Sequence, residues 1–170
     1  MRDTHTIGLV SHTAVLNRLV QLGFEVLLPW ASHLGYDLAY YVVEEYLNLG
    51  FFVHREARLV RIQVKTGRLS KVGGSFDFNT VSITPGKREN KTKGYVGKAE
   101  FFAIYLPDNR RVYMMAVNDL PSGGQKMGSM TLRFKSAGLL LGNGRSLRTV
   151  PYEKAVQMKY SLWWADDYEI

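Results

Sequence analysis

The chain has no cysteine. Disulfides, thiolate zinc sites, iron–sulfur clusters and a cysteine nucleophile are therefore excluded. No run of 18 apolar residues is present, so no bilayer-spanning helix is encoded. The first residues, MRDTHTIGLVSHTAVLN, lack the basic and then uninterrupted apolar stretches of a secretory signal. A cytoplasmic protein with no membrane partner is the expectation. The phosphate-binding loop of nucleotide hydrolases, the HExxH zinc helix and the GxSxG nucleophile turn are all missing. The four His are scattered, none at metal-ligand spacing from another. Asp166 and Asp167 are adjacent, so on a helix or a strand they diverge instead of sharing a cation. There is no repeat, low-complexity segment or linker. A length of 170 residues suits one domain over 1–170 that can bury a real core.

What is present begins with charge. Acidic residues are in the minority, 15 against 22 Lys plus Arg, for a net +7. The excess is local. From Lys65 to Lys98 eight basic residues face only Asp77 and Glu89, so this stretch carries +6 of the +7. Gly and Ser punctuate it, as in KVGGS, TPGKREN and TKGYVGK. Cationic side chains on such turns suit a phosphate backbone, because they displace its condensed counterions. Arg68, Lys71, Lys87, Arg88, Lys91 and Lys93 are the expected DNA-binding residues, most of them on a loop at 85–98. A merely solubilising loop has the same composition.

Hydrophobic periodicity predicts a helix over Thr6 to Leu22, with Val15, Leu16, Leu19 and Val20 as its stripe and Gly23 as its stop. FEVLLP reads as a short strand and YDLAYYVV as a second. EEYLNLG fits either a helical turn or a widened hairpin connection. RLVRIQVK is the clearest strand, with Leu59, Arg61, Gln63 and Lys65 on one side and Val60, Ile62 and Val64 on the other. FDFNTVSI, the pair EFFAIYL and RVYMMAV around the turn PDNR, and MTLRF supply further strands. A last helix is expected over Tyr152 to Tyr160, after Pro151, within a C-terminal extension at 135–170. The order of elements indicates an α/β fold with a mixed sheet.

One constellation can carry chemistry. Asp37 begins a strand, and Gln63 and Lys65 sit two apart on a later one, hence on one face. If those strands pair, a carboxylate, an amide oxygen and an ammonium meet at the sheet edge. Hard divalent cations take such oxygen ligands, and an ammonium offsets charge developing on a phosphodiester. The same spacing fits Asp37 capping a turn, with Gln63 and Lys65 on a solvated face.

In these residues the chain resembles the PD-(D/E)xK nuclease superfamily, most of all its small branch of group I intron homing endonucleases. The resemblance rests on LVQLGFEVLLPW, GYDL, RIQVKTG, GYVGKAEFFAIYLPDNRRVYMMAV and WADDYE, in that order over most of the chain. It implies a restriction-endonuclease-like core, a central mixed β-sheet flanked by helices. It implies Mg²⁺-dependent, sequence-specific cleavage of double-stranded DNA, with Mn²⁺ as a substitute ion. Asp37 matches the family's acid, and Gln63-Val64-Lys65 its (D/E)xK element in the QxK form known from that branch. By the same resemblance Asp37, Gln63 and the Val64 carbonyl are the metal ligands and Lys65 the catalytic ammonium. A homodimer or homotetramer would supply two sites for two strands. Where the family has Glu on the first helix, counting back from Gly23 reaches His12. His12 either joins the catalytic set or is a core histidine. The 26 positions between Asp37 and Gln63 exceed the branch's usual spacing, which places extra residues in YYVVEEYLNLGFF. Two other functions stay open: a nuclease selective for four-way junctions, and a DNA-binding protein of this fold that has lost cleavage.

Overall fold

The computed structural model of the chain describes residues 3–48, 52–71, 73–84, 86, 91–120, 128–137, 139–142, 147–150 and 165–170. The expected helix is present as α1, Thr4–Gln21, capped by Asp3, whose carboxylate accepts the Thr6 N–H at 2.6 Å. It stops at Gly23, which takes a φ of 86° while the Phe24 N–H reaches back to the Leu19 carbonyl. Ser11, Val15 and Leu19 recur every four residues, and this row is buried against the sheet.

The main sheet has five strands: β1 (Glu25–Leu27), β2 (Leu38–Asn48), β3 (Phe52–Thr66), β8 (Phe101–Leu106) and β9 (Arg111–Ala116). Their spatial order is β1-β2-β3-β8-β9, antiparallel throughout except for the parallel pair β3 and β8. The sheet is therefore mixed, as expected. EEYLNLG is neither helical nor loosely connected through Asn48: β2 runs on, and its register with β3 continues to Asn48 opposite Phe52. That long hairpin accounts for the wide spacing between Asp37 and Gln63. The turn at PDNR joins β8 to β9, with Arg110 in the left-handed region at φ 60°.

Alternation along β3 divides the core in two. Val60, Ile62 and Val64 lie under α1 with Leu38, Tyr40, Val15 and Leu19. The opposite face of β8 and β9 presents Phe102, Ile104, Tyr113 and Met115. Here the fold departs from helices on both flanks, because a second sheet covers this face among the described residues. It consists of β4 (Arg68–Leu69), β5 (Ser75–Asn79) and β10 (Ser129–Arg133), in the order β10-β5-β4. Phe76 and Phe78 of β5 point inward, and each fully buried ring contributes about 2–3 kcal/mol relative to exposure.

FDFNTVSI divides instead of forming one strand. After β5 the chain turns at Thr80 and Val81 into β6 (Ser82–Thr84), which pairs with β7 (Lys91–Lys93). Near the C-terminus β11 (Leu139–Gly142) pairs with β12 (Leu147–Val150). The expected helix over 152–160 lies outside the described residues. Asp166 and Asp167 both engage Lys135: one carboxylate accepts its main-chain N–H and the other pairs with its ammonium.

Candidate active site

Asp37 sits one residue before β2. A short 3-10 turn at Ser32–Leu34 leads to it, closed by Gly35 at φ 81°. A β-carbon on Gly35 would stand 2.8 Å from Lys98 Cδ, so both the conformation and the space favour glycine. The Asp37 N–H donates to the Ile62 carbonyl at 2.8 Å, which locks this residue to β3. The β2–β3 ladder ends at Leu38 opposite Ile62, so the Val64 N–H lies beyond it. The Asp37 carboxylate takes the place of the missing strand and accepts that N–H at 2.9 Å.

The same carboxylate oxygen accepts a short hydrogen bond from Gln63 Nε2. That amide nitrogen also lies 3.3 Å from the Val64 carbonyl. One carboxylate, one amide and one main-chain carbonyl thus converge where β2 begins and β3 runs on. Burial pushes the Asp37 carboxyl above its usual range, against the Val64 N–H, His12, Lys65 and Gln63, which hold it down.

Lys65 projects from the same face as Gln63. Its ammonium donates to the Tyr95 hydroxyl at 3.0 Å and lies 4.4 Å from the centre of that ring and 6.0 Å from that of Phe102. Burial pulls the Lys65 ammonium down to about 8, with the Asp37 charge opposing the shift. His12, on α1, brings Nε2 within 3.3 Å of the Asp37 main-chain carbonyl. It therefore meets the acid through the backbone and not through the carboxylate. When Nε2 carries the donated proton, Nδ1 is left as an acceptor.

These side chains border a groove of about 870 Å³ under the N-terminal half of α1. His12, Asp37, Lys65 and Arg68 all line it. Of the other cations expected on DNA, Lys71 is exposed after β4, and Lys91 and Lys93 are exposed on β7. Lys87 and Arg88 lie outside the described residues. Two contributors escaped sequence reasoning. Ser11 is buried and shares a 2.6 Å hydrogen bond with Thr66, which pins α1 beside Lys65. Tyr95 lies within GYVGK, but nothing in its spacing, 30 positions from Lys65, marks it as the partner of that ammonium.

Among the described residues no three His, Asp or Glu side chains gather around one point. A carboxylate-rich ion site is thus not what these residues form. Two oxygen acceptors instead share a single amide group, and Gln63 carries an oxygen, Oε1, on that same amide. With the Gln63 amide turned so that Oε1 takes the place of Nε2, Asp37, Gln63 and the Val64 carbonyl would offer three oxygen donors with one formal charge, a set that fits a hard cation that retains much of its water.

A family model described as PD-(D/E)XK endonuclease matches residues 2–137. The solved structure of a bacterial homing endonuclease, I-Ssp6803I, is similar at a TM-score of 0.58 and 17% identity, over 94% of this chain and 100% of that one. At that identity the likeness is one of fold. No curated protein matches the sequence.

Proposed function

The chain belongs to the PD-(D/E)XK endonuclease family, and on that premise we propose that it cuts intracellular double-stranded DNA at a specific sequence, as an intron-encoded homing endonuclease does. Nuclease action on DNA and the use of a divalent cation are general to the family. Mg²⁺ as the working ion, with Mn²⁺ able to replace it, belongs to our reading. So does the arrangement of 1–170 as one nuclease unit, with 85–98 on DNA and 135–170 extending the core. The observation that carries the reading is the meeting of Asp37, Gln63 and the Val64 carbonyl, beside a groove that Asp37, Val64 and Lys65 line.

Asp37, Gln63 and Val64 would hold the cation, which when bound polarises the scissile phosphodiester and favours ionisation of an attacking water. Lys65, with a pKa of about 8, is still mainly cationic at pH 7 and offsets the charge that grows on the phosphate. His12 keeps a proton on Nε2 against the Asp37 carbonyl and accepts one from water at Nδ1. Arg68 reaches the groove from β4, while Lys71, Lys87, Arg88, Lys91 and Lys93 bind flanking phosphates. With a single carboxylate, the protein attracts a cation weakly on its own, and the oxygens of the scissile phosphate complete the site. Cleavage then follows docking on DNA.

The low charge of the site favours a second reading, a DNA-binding protein of this fold that does not cut. One experiment separates the two. The chain and its Asp37→Asn variant are incubated with a pool of long duplexes in Mg²⁺, in Mn²⁺ and in a chelator. The native protein is expected to cut at discrete sites with either ion and not with the chelator. Asp37→Asn should lose cleavage by about a thousandfold while keeping its affinity for DNA. Near-normal cutting by Asp37→Asn would remove the site assignment. Binding without any cutting would establish the second reading.

A further inference from the structure

Among the described residues Lys65 forms no salt bridge with an acid. Its ammonium rests in an aromatic corner, on the Tyr95 hydroxyl at 3.0 Å and near the rings of Tyr95 and Phe102. Tyr95 is only 8% exposed and is fixed from several sides. Its carbonyl accepts the Lys98 and Ala99 N–H groups at 2.9 and 3.1 Å, closing the turn that leads into β8. Its ring meets Phe102 edge-on at 5.5 Å and 85°.

The course of the chain gives the arrangement its direction. Strand β7 pairs with β6 and ends at Lys93. Tyr95 follows β7 by two residues. It therefore joins, through the main chain, the base of the hairpin bearing Lys91 and Lys93 to the ammonium of Lys65. A lysine side chain has four rotatable bonds and a compact charge with three donors. One donor on Tyr95 fixes where the nitrogen sits, and the other two remain to face the groove.

We propose that Tyr95 is the positioning residue for Lys65, and that it ties the placement of the Lys65 ammonium to the seating of the β6–β7 hairpin on DNA. The proposal deepens the nuclease reading and rests on it for the consequence in cleavage. Tyr95→Phe keeps the ring and its packing on Phe102 and removes only the oxygen. Single-turnover cleavage by Tyr95→Phe is expected to slow about tenfold or more, with duplex affinity in chelator within twofold of native and the melting temperature lowered by no more than about 2–4 °C. Native-rate cutting by Tyr95→Phe would overturn the proposal, as would equal losses in rate and affinity.

A second measurement does not need cleavage. In metal-free protein carrying ¹³Cε-lysine, the Lys65 methylene protons should show ring-current shifts and restricted motion, and both should change when a duplex is added. In Tyr95→Phe the motion should increase and the response to duplex should vanish. An unchanged Lys65 signal in Tyr95→Phe would sink the proposal. A native protein that binds and never cuts DNA would overturn the nuclease reading instead, leaving this signal to decide on the anchor.

Discussion

At the scale of single residues the site places opposed charges where each is costly. Lys65 falls from 10.5 to about 8 through burial, and Asp37 rises for the same reason. The sign of the consequence follows from linkage. A lysine with a depressed folded-state pKa binds fewer protons in the native chain than in the unfolded one. Its penalty is full below about pH 8, shrinks between 8 and 10.5, and is gone above that range. A shift of this size corresponds to about 3 kcal/mol, and loss of the Tyr95 hydrogen bond offsets about 1 of it. Lys65→Met should therefore stabilise the metal-free protein by about 2 kcal/mol at pH 7 while abolishing cleavage. Urea melts at pH 7 and at pH 10.5 check this: the gain should fade at the higher pH, and a loss of stability at pH 7 would contradict it. Asp37, Gln63 and Lys65 were legible in the sequence because a strand repeats every two residues, which puts positions 63 and 65 on one face. Tyr95 was not, because its role depends on a meeting of distant segments that no spacing encodes.

At the scale of elements, legibility followed periodicity. The stripe of α1 and the alternation of β3 each point to one buried face, and both elements are present with that face inward. The extension of β2 through Asn48 was obscured by Glu44, Glu45 and Asn48, residues uncommon in strands, which here run along a long ladder. The second sheet was not legible as a layer, because an alternating strand reads the same whichever sheet it joins. Its strand β5 was merged with β6, since the turn at Thr80 and Val81 contains neither Gly nor Pro. Two predictions belong to elements. Gly35→Ala forces a β-carbon into the left-handed region against the Lys98 stem, so it should destabilise the fold by about 1–2 kcal/mol and displace Asp37. Cleavage should fall by more than that loss of stability explains, and a variant that melts and cuts like native protein would show that the turn tolerates a side chain. On the hairpin, Lys91→Ala with Lys93→Ala should lower the slope of log affinity against log salt by about 0.9 for each phosphate that these lysines neutralise. An unchanged slope would make β7 a solvated strand and nothing more.

At the scale of the whole molecule the two layers leave one region uncovered among the described residues. The α1 helix packs on one face of the main sheet, and the second sheet covers the β8–β9 side of the other. On that other face the outer strands β1, β2 and β3 present Leu27, Tyr41, Val43 and Leu59, which are 43–50% exposed. Register places Tyr41 directly opposite Leu59 and Leu27 opposite Ala39, so these side chains form one patch. On the same face as Leu59, Arg61 pairs with Glu100 at 2.6 Å, a couple of opposite charges that can be met by its own copy across a two-fold axis. An apolar patch with a polar rim marks an assembly surface. A second copy is the occupant that the proposed function requires, since the described residues hold one Asp37 site and a duplex has two strands. Our reading of a homodimer or homotetramer thus rests on this sheet face. Light scattering should give the native protein a mass of two or four times 19.3 kDa, and Tyr41→Lys with Leu59→Lys should return it to one. The double variant keeps its own Asp37 site, so it should nick one strand where the native assembly makes a double-strand break. A native mass of a single chain would remove the assembly, and a dispersed variant that still breaks both strands at once would remove its link to cleavage.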